Sequence, residues 1–248
     1  MEQKFGKNSI DIEALREFCE REGKEVTYHK GDQLEREGDP ARWFGFVTEG
    51  CFKYVTYGIS DDKAPIKQEP SSSLGMAERE GEAVEFLKGD QLEREGDPAR
   101  WFGFVTEGCF KYVNHSSDDR EHITWFSFAG EFVADYPTFL YGQPSQTTIE
   151  AMMPSRVLRV AGQQLEQYFR QSMETMNLRA VIAEHILFQF RSRYLDLHCA
   201  TPRERYEQLL QRCPGIVEHL DLQDIASFLN VTPKTISIIR KNITFGKV

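Results

Sequence analysis

The residues best suited to chemistry lie near the C-terminal end of this 248-residue chain, where the last fifteen positions carry Lys234, Arg240, Lys241 and Lys247 and no acid. Immediately upstream runs LQDIASFL, then Asn230-Val231, then Thr232-Pro233-Lys234-Thr235. Ammonium, guanidinium and hydroxyl groups gathered on one helix are the groups that meet phosphates and base edges of duplex DNA. Other chemistries lack their residues. The six histidines (His29, His115, His122, His185, His198, His219) form no HxH pair and no His/Glu cluster at ligand spacing, which argues against a metal site and against an enzyme of the metal-dependent jelly-roll kind. The five cysteines, at 19, 51, 109, 199 and 213, make no CxxC pair, and an odd count argues against a secreted disulfide framework.

The segments around these residues predict how they are held. LQDIASFL reads as a short amphipathic helix with Ile225, Ala226 and Leu229 on one side. Asn230 suits a turn with positive φ, Thr232 suits an N-cap, and Pro233 suits the first helical position. The second helix then turns Ile236, Ile239 and Ile243 inward. This is a helix-turn-helix, with Thr232, Lys234, Thr235, Ser237 and Ile238 toward a major groove and Arg240 and Lys241 toward phosphates. Charge agrees: from Thr201 onward the net charge is +2, against −11 for the first 200 residues. The tail after Lys241 is short for a wing hairpin.

Two further regions precede it. Gln163–Gln171 reads as one helix and Ser172–Leu197 as a longer one. In the longer helix Met173, Met176, Ala180, Val181, Ile186, Leu187, Phe190, Tyr194 and Leu197 recur mostly at three and four. A helix of about 25 residues is ~38 Å long and overshoots a small domain, so part of that stripe is expected to form a dimer seam. Before it, short runs rich in aromatic and β-branched residues (Trp101–Val105, Cys109–Val113, His122–Phe128, Thr147–Met152, Arg156–Val160) alternate with glycine turns, the pattern of a sandwich or jelly roll. At 40% hydrophobic and 28% charged the chain is neither wholly disordered nor membrane-spanning, and it has no apolar N-terminal leader, so a cytoplasmic protein with no membrane partner is expected.

The chain also repeats itself. KGDQLEREGDPARWFGFVTEGCFKYV occurs without mismatch at Lys30–Val55 and at Lys88–Val113, an offset of 58. CEREGKEV at Cys19–Val26 echoes AEREGEAV at Ala77–Val84, and a Pro/Ser/Lys linker separates the copies. This reads as a partial tandem duplication of one segment, or as an artefact of sequence assembly, rather than as a solenoid, which needs about three units. The second copy runs directly into the remaining strands, whereas the first must reach them across the offset, a detour costing only ~1 to 2 kcal/mol of loop-closure entropy. The second copy is therefore expected in the roll. The expected division is 1–76 (helix, first copy and linker), 77–171 (roll), 172–200 (dimerisation helix) and 201–248 (helix-turn-helix).

From Ala77 to Ile243 the motifs KGD, EGD, FVTEG, the GEF turn at Gly130-Glu131-Phe132, TPRERYEQLLQRCPG and IASFLNVTPKTISIIRK stand in an order that resembles the Crp/Fnr transcription regulators, particularly the Bacteroidetes-type members. The resemblance implies an α+β fold: a double-stranded β-helix of the cyclic-nucleotide-binding kind, a dimerising helix and a DNA-binding domain. It implies a homodimer on double-stranded DNA, a small-molecule effector and RNA polymerase as a partner. The effector pocket it suggests is Gly130, Glu131, Phe132, Asp135, Tyr136, Ser145, Gln146 and Thr147.

Departures from the family pattern are equally specific. Where cyclic-AMP-binding members carry a Gly-Glu pair this chain has Ala134-Asp135, and where they carry Arg-Ser it has Ser145-Gln146. A buried phosphate needs a cation and close N–H donors, so cyclic AMP is not expected. The absence of an N-terminal cysteine cluster argues against an iron-sulfur cluster. In the recognition helix, Lys234 and Ile238 stand where the family commonly has Glu and Arg. Lysine can donate to guanine and isoleucine can touch a thymine methyl, so a shifted target is expected. The competing reading is a ligand-sensing or interaction protein that has lost specific DNA binding.

Overall fold

Strands of β-branched and aromatic residues, punctuated by glycine and aspartate turns, pair into two four-stranded antiparallel sheets. In chain order they are β1 (Glu82–Phe86), β2 (Gln91–Glu93), β3 (Trp101–Glu107), β4 (Cys109–His115), β5 (Glu121–Phe128), β6 (Phe132–Val133), β7 (Thr148–Ala151) and β8 (Ser155–Ala161). One sheet has the order β1-β8-β3-β6 and the other β2-β7-β4-β5. The computed structural model describes residues 12–36, 47, 51, 53, 81–136 and 138–244. The chain falls into two units, Met1–Ser60 and Asp61–Val248.

The two sheets close over Phe86, Leu92, Val105, Phe110, Val133, Ile149, Ala151 and Val157, with Phe86 and Phe110 edge to face at 5.3 Å. Alternation along each strand places these residues on the inner faces. Gly108 makes the tight β3–β4 reversal. Its φ is +87°, and a Cβ there would lie 2.1 Å from Ser155 Oγ, so no other residue fits. The roll is built from the second copy of the repeat, which supplies β2, β3 and most of β4.

Four helices of the second unit follow the pattern anticipated from the sequence, and one was not read as a helix. They are α2 (Gly162–Phe169), α3 (Met173–Cys199), α4 (Pro202–Arg212), α5 (Leu222–Phe228) and α6 (Pro233–Thr244). The missed one, α4, starts at a capping box in which Thr201 Oγ1 accepts from Glu204 N–H and Glu204 accepts from Thr201 N–H at 2.6 Å. The long helix α3 is apolar on two sides. Leu178, Ile182 and Ile186, at i, i+4 and i+8, pack on Phe102, Val160, Leu165 and Phe169 of the roll and α2. Ile186, one of the residues of the stripe read from the sequence, thus belongs to the inner face. On the other side Met173 (85%), Leu187 (69%), Phe190 (54%) and Tyr194 (61%) remain exposed.

In the first unit α1 spans Ile12–Glu22, within the amphipathic segment that precedes the first copy. The turn after it repeats a turn of the roll. His29 N–H donates to Asp32 Oδ2 at 2.7 Å, as Leu87 N–H donates to Asp90 Oδ2 at 2.7 Å, with Gly31 and Gly89 at φ +101° and +92°. Identical Lys-Gly-Asp sequences therefore make the same turn in both copies. Most of the first copy and the linker lie outside the described residues.

This identity has a measurable consequence in the full chain. Phe110 is fully buried, and its counterpart 58 positions earlier is Phe52. If the copies exchange, Phe110→Ala alone should lower stability by only about 1–2 kcal/mol, the cost of recruiting the first copy, rather than the ~3–5 kcal/mol usual for a buried phenylalanine. Phe52→Ala alone should be silent, and the double variant should lose the full amount in denaturant melts. Additive effects would show that the first copy never substitutes.

Candidate nucleic-acid interface and effector cassette

The helix-turn-helix is assembled on a core of Ile225, Ala226, Phe228, Leu229, Ile236 and Ile239, all buried. Asn230 takes φ +51° in the turn, and Val231 N–H closes onto Ala226 O at 3.0 Å. Thr232 begins α6: its hydroxyl oxygen accepts from Thr235 N–H at 3.2 Å and lies 2.9 Å from the Thr235 hydroxyl. With the turn fixed in this way, Lys234, Ser237, Ile238 and Lys241 face solvent, Ile238 being 51% exposed. Thr235 is half-buried. Ile243, expected inward, is exposed at the end of the helix.

One predicted phosphate contact points elsewhere. Arg240 is half-buried, and its Nε donates to the Tyr206 hydroxyl at 3.0 Å across to α4. Other arginines of this end are similarly engaged. Arg205 is buried and donates to the Leu197 and Ala200 carbonyls at 3.1 Å, and also to that of Asp196, closing the C-terminal end of α3. Arg193 of α3 stacks 3.8 Å over the Phe228 ring and donates to the Phe228 carbonyl, and burial lowers its pKa to about 10. A net charge of +2 therefore overstates what this region offers to DNA, because much of it sits inside.

Arg212 joins the helix-turn-helix domain to the roll. Its Nε and a terminal nitrogen meet both oxygens of Glu131 at 3.0 and 2.7 Å, and the same terminal nitrogen reaches Phe126 O at 2.9 Å. Its guanidinium lies 4.5 Å from the Trp125 ring centroid and 5.1 Å from that of Phe128. Around it Phe126 packs on Phe228 at 4.8 Å, and Ile123 N–H donates to Ser227 Oγ at 2.9 Å. Glu131, expected in the effector pocket, is instead the roll's half of this joint. Sequence reading missed Arg212 because an arginine ending a helix looks like a solvated one until the acid it meets, 81 residues away, is brought beside it.

The other predicted pocket residues divide. Gly130 makes an exposed turn at φ +90°. Phe132 packs against Phe102 and Phe104, and Tyr136 joins the cluster under α3. Thr147 is buried and donates to Val113 O at 3.1 Å. Asp135, Ser145 and Gln146 do converge: one Asp135 oxygen accepts from Ser145 Oγ and Gln146 N–H, both at 2.8 Å, and the other from Thr138 Oγ1 at 3.0 Å. Nearby, Glu93 accepts from the N–H groups of Arg100 and Trp101 at 2.8 and 2.7 Å. Burial raises its pKa and the Asp135 charge acts in the same direction, against those two hydrogen bonds. Among the described residues no group of three or more His, Cys, Asp and Glu could hold a metal ion, and no helix is long and apolar enough to cross a membrane.

The second unit thus combines a β-roll, a long helix packed on it and a helix-turn-helix docked against it. Residues 83–172 match the cyclic nucleotide-binding domain family. The CRP-like protein Clp of Xanthomonas campestris pv. campestris is 26% identical over 103 residues, 42% of this chain and 44% of that protein. The chain thus matches less than half the length of this curated relative. Among solved structures, FixK2 from Bradyrhizobium japonicum aligns with a TM-score of 0.57 at 22% identity, covering 67% of this chain and 86% of that one. The c-di-GMP-responsive global regulator CLP of Xanthomonas campestris aligns at 0.51 and 16% identity, covering 71% and 92%. Residues 83–172 thus form a domain of the cyclic nucleotide-binding kind, and the chain is similar in part to a CRP-like protein and in fold to regulators of that type.

A cyclic nucleotide, which the family name implies, does not fit the cassette. The donors that would take its phosphate, Ser145 Oγ and Gln146 N–H, are already held by the Asp135 carboxylate, and a phosphodiester there would face a like charge. Cyclic AMP is therefore expected to show no micromolar binding by calorimetry.

Two substitutions test the joint and the cassette. Arg212→Ala should cost about 2–3 kcal/mol in denaturant unfolding, less than a fully buried pair because a quarter of each side chain stays exposed. Arg212→Lys should recover only part of it, since lysine keeps the charge and loses the fork and the stacking. For Glu93, the raised pKa means that its stabilising protonated form is complete below the ordinary value near 4.5 and is lost as pH rises through the raised one. Glu93→Gln should flatten that decline in a series of melts from acid to neutral pH.

Proposed function

We propose that this chain is a homodimeric, sequence-specific DNA-binding transcription regulator whose roll does not respond to cyclic AMP. The observation that carries it is the two-sided character of α6. Its inner face is buried in the domain core while Lys234, Ser237, Ile238 and Lys241 stand in solvent behind a capped N-terminus. That is the geometry in which a recognition helix inserts its first turns into a major groove. Lys234 and Ile238 read bases in this proposal, and Lys241 meets phosphate. Arg240 positions the helix through Tyr206 instead.

The dimer seam in this proposal is the outer stripe of α3, where Met173, Met176, Ala180, Ala183, Leu187, Phe190, Tyr194 and Leu197 recur at alternating spacings of three and four. Such a stripe over 27 residues is suited to the same stripe of a second copy. Residues 77–171, 172–200 and 201–248 then divide the work of effector domain, dimer helix and DNA reader. RNA polymerase is the further partner in this reading.

Light scattering should give twice the 28.7 kDa chain mass. In DNA titrations across a salt series, Lys241→Ala should weaken binding to all sequences alike and flatten the salt slope by roughly one unit per protomer. Arg240→Ala should lower stability and leave the slope unchanged. Ile238→Arg should change which sequences are enriched from a random duplex pool. A monomer that retains no duplex at low salt would replace this reading with that of a sensing or interaction protein without DNA binding.

A further inference from the structure

The cassette between Ala134 and Thr147 gathers hydrogen-bond donors around a negative charge that belongs to the chain itself. Asp135 accepts from the Thr138 and Ser145 hydroxyls and from Gln146 N–H. Three donors converging on one carboxylate are charge-assisted, and they leave little of its acceptor capacity for anything else. Ser145 is only 3% exposed, and its segment is strapped in place: Ser145 N–H donates to Asp97 O at 2.7 Å, and Gly96 N–H donates to Ser145 O at 2.9 Å. The donors are therefore fixed in position before any ligand arrives.

We infer that Asp135 is a tethered ligand: its carboxylate takes the place of a small oxyanion and closes the cassette without an external partner. The chemical class that these donors would accept in its absence is a small carboxylate or phosphate. The closure reaches the rest of the molecule through the neighbours of Asp135. Ala134, Tyr136 and Leu140 pack in the same apolar cluster as Leu178, Ile182 and Ile186 of α3. A filled cassette thus supports the long helix with no effector bound. This inference concerns the roll alone and does not depend on DNA binding.

Chemical rescue in the full chain tests it. Thermal melts of the wild type, Asp135→Ala and Asp135→Asn are compared in sodium chloride, formate and inorganic phosphate at one ionic strength. The wild type should melt at the same temperature in all three. Asp135→Ala should melt about 5 °C lower in chloride, and formate or phosphate should restore at least half of that loss with saturation. Adding Ser145→Ala to Asp135→Ala should abolish the rescue. Asp135→Asn fills the cradle without the charge, so it should be destabilised and not rescued, which keeps the test decisive if the alanine variant fails to fold.

Three results would overturn the inference. An asparagine variant as stable as the wild type would show that no negative charge is needed. An alanine variant that folds but gains nothing from either anion would make Asp135 a simple brace. Saturable stabilisation of the wild type by phosphate would show that the cradle is still open.

Discussion

The joint between the roll and the helix-turn-helix domain is ordered by one guanidinium. Arg212 has to satisfy its donors where α4 meets β5, and it does so with both oxygens of Glu131, the Phe126 carbonyl and the faces of two aromatic rings. Removing a cation from water costs less the more of its hydrogen-bonding capacity is met, so a part-buried geometry that engages Nε and a terminal nitrogen is favoured among alternatives. That requirement ties the GEF turn of the roll to the last turn of α4. The apolar contacts of Phe126 with Phe228 and the Ile123–Ser227 hydrogen bond then fall into register. The face that α6 presents is fixed relative to the sheets by the same joint.

The arginines of the C-terminal region share a division of labour with the lysines. Arg193, Arg205, Arg212 and Arg240 are turned to carbonyls, rings or a phenol, where planar forks and delocalised charge tolerate partial burial. Lys234 and Lys241 remain outside. Lysine, a compact and strongly hydrated charge, is better suited to a surface that exchanges water for phosphate. Residue type therefore separates the side chains that build the domain from those left in solvent more sharply than net charge does.

Much of this was legible from the sequence, and the failures have physical reasons. Local signals were reliable wherever one residue type satisfies one geometric demand: Asn230 at positive φ, Thr232 and Pro233 at a helix start, Gly108 between two strands. The long helix was also legible as an element, but not which residues face which neighbour. A stripe read at three and four mixes two faces once both are apolar, and only the roll decides that Ile182 and Ile186 turn inward. Contacts across long stretches of chain were invisible. Glu131 looked like a pocket residue beside Phe132, and Arg240 looked like a phosphate contact beside Lys241, because neither Arg212 nor Tyr206 is near in sequence. Asp135 was legible as a departure from the family pattern, but the hydroxyl and amide donors it holds emerged only with the fold.

The three parts of the second unit are fastened to one another in a closed circuit. The roll grips α3 through Leu178 and Ile182, α3 grips the helix-turn-helix domain through Arg193 and Arg205, and that domain returns to the roll through Arg212. In mechanical terms this is a truss and not a string of beads. A triangle cannot shear while its three sides hold, so α6 has no free swivel about the end of α3. Reorienting it requires one fastening to be opened outright, and the weakest of the three sets the threshold for the whole frame.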